Sequence, residues 1–140
     1  MEKLEHIGIA VKNLSLSIPL FEALLNTRCY KEEFVISESV KTAFFAIGNQ
    51  KIELLESAEP QSAISKFIEK KGEGIHHIAF SVHDIRAEMK RLSDAGFELL
   101  YDEPREGADN KLVCFLHPKT TNSVLVELCM ENPDSMNQSI

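Results

Sequence analysis

The chain has 140 residues, 44% of them hydrophobic, with 6 Gly and 5 Pro, which is the profile of a folded domain with a real core and not of a disordered segment. Its net charge of −7 argues against nucleic acid or an anionic membrane surface as a partner. No apolar run approaches the ~18 residues that a membrane span needs. Three cysteines, Cys29, Cys114 and Cys129, form no C-x-x-C pair and leave an odd thiol, which fits a reducing compartment. Met1-Glu2-Lys3-Leu4-Glu5 is charged where a secretory leader would be apolar, so a cytoplasmic location is expected.

Taken in order, Leu4 to Val11 alternates as a strand. Leu14, Ile18, Phe21 and Leu25 then recur as one face of an amphipathic helix, and Pro19, tolerable only in a first turn, predicts a start near Ser17. Strands are expected over Arg28 to Phe34, Lys41 to Ile47 and Lys51 to Leu55, the last two joined as a hairpin through Gly48-Asn49-Gln50. Ser62 reads as the N-cap of a short helix ending at Lys70-Lys71-Gly72, with Ala63, Ile64, Phe67 and Ile68 inward. A strand from Gly74, a helix capped by Asp84 with Ile85, Met89 and Leu92 inward, and an exit at Gly96 follow. Phe97 to Asp102, Lys111 to Leu116 and Ser123 to Met130 complete the strands, with a polar loop over 103–110. The tail from Glu131 carries no periodicity and is expected to be loose.

The chain is organised around a repeat. Ile75-His76-His77-Ile78-Ala79-Phe80-Ser81-Val82 alternates with period two, and His77 shares its face with the small residues Ala79 and Ser81. That pattern leaves room beside an imidazole. Glu5-His6-Ile7-Gly8-Ile9-Ala10-Val11 repeats it, with His6 on His77. Downstream, Ile52-Glu53-Leu54-Leu55 matches Val126-Glu127-Leu128-Cys129, each an apolar strand interrupted by one carboxylate. Each half is therefore β-α-β-β-β: module one over about 4–58, a bridging helix over about 62–71 and module two over about 74–130, forming a single domain.

A charged glutamate within an apolar strand is costly unless it is paired or coordinates a metal. Two histidines and two glutamates at repeat-equivalent positions, His6 with His77 and Glu53 with Glu127, make the ligand set of a borderline divalent ion such as Co²⁺, Ni²⁺, Zn²⁺ or Mn²⁺. The bland alternative makes the glutamates solvent-facing edge residues and lets the histidines hydrogen-bond locally. His76 points opposite His77 and reads as packing, His83 as solvated, and His117 as a turn residue.

The paired modules and the His/Glu/His/Glu positions resemble the vicinal oxygen chelate superfamily, which includes glyoxalase I, extradiol dioxygenases and methylmalonyl-CoA epimerases. The epimerases are matched most specifically, through the run Gly72-Glu73-Gly74-Ile75-His76-His77, Asp102-Glu103-Pro104-Arg105-Glu106-Gly107-Ala108, Phe115-Leu116-His117-Pro118-Lys119 and Val124-Leu125-Val126-Glu127-Leu128. The resemblance spans residues 4 to about 130. It implies an α+β fold of two βαβββ modules, their eight strands forming a cupped mixed sheet around one metal ion held by His6, Glu53, His77 and Glu127. Family members carry Gln or Glu at the position of Glu53. The chain departs from the family in three places. Thr42 stands where a described epimerase has a second catalytic glutamate, Ala108-Asp109-Asn110 follows Gly107 in place of a Gly-rich turn, and Asn122-Ser123 replaces Gly-Gly.

The implied activity is metal-dependent epimerisation of methylmalonyl-CoA through an enolate, with Glu127 as one acid/base and Glu53 as the other carboxylate available. Co²⁺ is the first choice of metal, with Mn²⁺, Ni²⁺ or Zn²⁺ as alternatives. The implied partner is a small acyl-CoA substrate, with Lys66, Lys111, Lys119 and Arg105 as candidates for its phosphates, and relatives are commonly homodimers. A glyoxalase I-like lyase acting on a glutathione hemithioacetal, or a metal-free binding protein, are the alternatives on the same fold.

Overall fold

The strand pairing repeats itself in the computed structural model, which describes residues 1–136. Strands β1 (Lys3–Ala10), β2 (Lys31–Val35), β3 (Val40–Ile47) and β4 (Gln50–Ser57) precede β5 (Gly74–Ser81), β6 (Arg105–Glu106), β7 (Lys111–Leu116) and β8 (Val126–Glu131). They join in one eight-stranded mixed sheet of order β2-β3-β4-β1-β5-β8-β7-β6. In the first half β2, β3 and β4 are antiparallel neighbours and β4 runs parallel to β1. The second half does the same with β6, β7, β8 and β5. The α+β class and the doubled βαβββ order expected from the sequence are both present. The described residues form two compact units, residues 6–76 and residues 1–5 with 77–136, so β1 and β5 each give residues to both.

Residues 6–76 build their core by laying helix α1 (Leu14–Leu25) on the sheet, with Leu14 buried and Ile18, Phe21 and Leu25 packed against Val11, Ala43, Phe45 and Leu54. The helix starts at Leu14, a turn earlier than Pro19 suggests. The Asn13 side chain accepts from Ser15 N–H, and Leu14 N–H donates to the Glu56 carboxylate at 2.9 Å. These contacts outweigh the proline, whose ring faces the Ser15 carbonyl and cannot bond it. Because Pro19 is exposed and interior, Pro19→Ala is expected to stabilise the fold by about 1–3 kcal/mol. The check is a higher urea midpoint at unchanged slope, and an unchanged midpoint would show that the helix has already absorbed the proline. Gly48, at φ +57, makes the two-residue link that pairs Ile47 with Gln50. Helix α2 (Ala63–Lys71) is capped by Ser62, which accepts from Ser65 N–H. Ile64 is buried and Ala63 is exposed.

In the other unit, helix α3 (Ile85–Asp94) is capped by Asp84 and buries Ile85, Met89 and Leu92 against Val82, Cys114, Leu116 and Leu128. Burial pushes the Cys114 thiol up, so its reactive thiolate is scarce. The expected strand over Phe97 to Asp102 reduces to a single bridge, Leu99 to Leu116, flanked by Leu100 N–H to Phe115 O and His117 N–H to Glu98 O. The true edge strand is β6, inside the segment the sequence presents as a polar loop. Non-glycine residues take left-handed backbone at Asp109, Asn110, Asn122 and Ser123. Aspartate and asparagine tolerate that region best. Glu131 closes β8 and a short helix α4 (Pro133–Met136) follows, and the rest of the expected loose tail, 137–140, lies outside the described residues. Among the described residues no helix is long and apolar enough to cross a membrane.

Candidate active site and metal centre

Each half builds the same row of side chains. In residues 6–76, Gly8 on β1 sits opposite Glu53 on β4, which sits opposite Phe44 on β3. In the other unit, Ala79 on β5 sits opposite Glu127 on β8, which sits opposite Phe115 on β7. Directly paired residues share a face, and the histidine two positions before the small residue joins them there. His6 Nε2 lies 3.5 Å from Glu53 Oε1, and His77 Nε2 lies 3.9 Å from Glu127 Oε1. The four are between 3% and 6% exposed, which removes the reading of solvent-facing edge residues.

The donor set fits a divalent metal. Ligand atoms held about 2.1 Å from one ion at octahedral to tetrahedral angles stand roughly 3.0–3.5 Å apart. The His6–Glu53 separation matches that spacing, and the His77–Glu127 separation is about 0.4 Å wider than its upper end. Buried carboxylates facing imidazole nitrogens also make charge compensation by a cation favourable.

Ala79 is fully buried with Val113, Phe115 and Cys129, and Phe115 meets the His77 ring edge-on at 5.7 Å. Glu5 and His6 are consecutive and both buried, so β1, a central strand, is covered on both faces there. Glu5 lines a cavity of about 400 Å³ with Lys3, Ser81, Lys111 and Cys129. Thr42 is buried, and its hydroxyl donates to the Glu33 carbonyl at 3.3 Å. The remaining histidines are accounted for. His76 stacks edge-on against Phe67 at 5.0 Å, His83 is exposed, and His117 Nδ1 accepts from Lys119 N–H to cap the 3₁₀ turn Pro118–Thr120.

The sequence profile of the Glyoxalase/Bleomycin resistance protein/Dioxygenase superfamily matches residues 5–115. The chain belongs to that superfamily. Within it the chain falls in the family of the methylmalonyl-CoA epimerases. It is 39% identical over 128 residues to the ethylmalonyl-CoA/methylmalonyl-CoA epimerase of Cereibacter sphaeroides, covering 90% of this chain and 96% of that protein. Bacillus subtilis YqjC, named as an uncharacterized protein, is 39% identical over 138 residues and 99% of both chains. Among solved structures, a variant methylmalonyl-CoA epimerase of Streptomyces coelicolor in complex with 2-nitronate-propionyl-CoA superposes with a TM-score of 0.91 at 34% identity. That match covers 95% of this chain and 96% of the other. The family membership accounts for the doubled module.

Proposed function

We propose that the chain is a metal-dependent epimerase that inverts the α-carbon of methylmalonyl-CoA, with His6, Glu53, His77 and Glu127 as the ligands of one divalent ion per chain. The reading is carried by the twice-built row of buried carboxylate and histidine, in a chain whose relatives include epimerases of that substrate at 35–39% identity. Co²⁺ is the first choice, with Mn²⁺, Ni²⁺ and Zn²⁺ also suited to imidazole and carboxylate donors. The proposal includes a cytoplasmic homodimer.

When bound, the ion supplies Lewis-acid stabilisation of the negative charge that develops on the thioester oxygen as the α-proton leaves. Glu127 takes that proton on a carboxylate oxygen, and the C–H electron pair becomes the enolate double bond. A donor on the opposite face returns a proton to the same carbon, so inversion proceeds with no net gain or loss of protons. Glu53 is assigned this second role, because Thr42 offers no carboxylate and its hydroxyl is engaged by the Glu33 carbonyl.

The reading is tested by a paired assay on Co²⁺-reconstituted protein. The expected result is interconversion of the two epimers of methylmalonyl-CoA, the 2R and 2S thioesters, no turnover of the glutathione hemithioacetal of methylglyoxal, and one ion per chain. Turnover of the hemithioacetal alone would make the protein a glyoxalase I-like lyase. Absence of metal uptake and of both activities would make it a binding protein.

A further inference from the structure

We propose that Arg105 is an anion clamp for the substrate, an inference that rests on the epimerase reading above. Its position comes from register. Arg105 on β6 pairs with Val113 on β7, Val113 with Cys129 on β8, and Cys129 with Ser81 on β5. Cys129 and Glu127 are two residues apart on one strand, so this row lies on the face that carries Glu127 and His77.

The guanidinium is also held in a defined pose. Its carbon lies 3.7 Å from the centre of the Tyr101 ring. Tyr101 meets Phe115 edge-on at 6.2 Å, and Phe115 meets His77 edge-on at 5.7 Å, so an aromatic chain links the exposed arginine to the buried histidine. A guanidinium stacked by its face keeps its N–H edge open, and that edge is a planar fork matched to carboxylate or phosphate oxygens. The stack has already removed much of the side chain's freedom, so less entropy is lost when an anion is gripped.

Arg105 differs here from two of the other candidate cations, Lys111 and Lys119, and from Lys66 in being held on the face that carries Glu127. Lys111, on the same face, pairs with Glu131, and Lys119 pairs with Glu98. Among the described residues no carboxylate pairs with Arg105, in a chain whose net charge is −7. A charged fork left open on the reactive face of an acidic protein calls for an oxyanion from outside. The substrate offers two, its free carboxylate and the phosphates of coenzyme A.

The experiment compares Arg105→Gln and Arg105→Lys with the wild type, all loaded with Co²⁺, on methylmalonyl-CoA and on methylmalonyl-pantetheine, which lacks the nucleotide phosphates. Losing a charge-assisted contact should raise the KM of Arg105→Gln for methylmalonyl-CoA about tenfold to a hundredfold, with kcat within about twofold. Arg105→Lys should recover part of the loss, since it keeps the charge but not the flat fork. A penalty that persists on the pantetheine thioester assigns the clamp to the carboxylate, and one that disappears assigns it to phosphate. If the wild type turns over methylmalonyl-CoA while Arg105→Gln keeps a KM within about twofold on both thioesters, the clamp is refuted and the epimerase reading stands. A wild type that turns over neither thioester overturns the epimerase reading and this inference with it.

Discussion

Glu127→Gln is expected to slow exchange of the substrate α-proton with solvent deuterium by about two orders of magnitude or more, the scale on which loss of a general base acts. The substitution keeps the shape of the side chain and one oxygen donor, and leaves the pairing of Glu127 with Phe115 and Ala79 untouched. Metal should therefore be retained at reduced affinity while proton transfer fails, which separates the two roles assigned to this residue. The loss should also be unequal between epimers. A base serving one face removes the proton of one epimer directly, whereas the other epimer starts its exchange at the second group. Deuterium incorporation followed separately from the 2R and 2S thioesters measures this asymmetry. Exchange of both at the wild-type rate would leave Glu127 a ligand at most, with the base elsewhere.

The site was legible because it is written twice in short-period pattern. A histidine followed at i+2 by a small residue fixes the face of β1 and of β5, and the strand registers then place Glu53 opposite Gly8 and Glu127 opposite Ala79. Even the unequal repeat offsets have a structural reason. Phe44 and Phe115 are 71 residues apart, Glu53 and Glu127 are 74, and the longer connection in the second half holds the 3₁₀ turn Pro118–Thr120 where the first has only Gly48-Asn49.

What escaped the sequence depends on long-range partners or on elements too short to have a period. The start of α1 is secured by Glu56, 42 residues away, which no local rule weighs against Pro19. A two-residue strand cannot announce itself by alternation, so Arg105 read as loop when it lies in the row of Cys129. The burial of Glu5 depends on residues far along the chain, Ser81, Lys111 and Cys129, which line the same cavity.

His77→Ala should abolish stoichiometric metal uptake and turnover together while leaving the fold in place. The imidazole is 3% exposed and packs on the edge of Phe115, so its loss leaves a small cavity and removes one aromatic contact. That should cost about 1–2 kcal/mol, a modest lowering of the unfolding midpoint with the far-ultraviolet dichroism unchanged. The helix-side core of Val82, Ile85, Met89, Leu92 and Leu128 lies on the opposite face and is not disturbed. Metal analysis then decides how the ligands are shared. If one ion takes donors from both rows, His77→Ala and His6→Ala each carry the stoichiometry from one towards zero, and the double variant does no worse. If each row holds its own ion, the wild type binds two, each single variant retains one, and the losses add. Full activity in metal-depleted His77→Ala protein would remove the ion from the mechanism altogether.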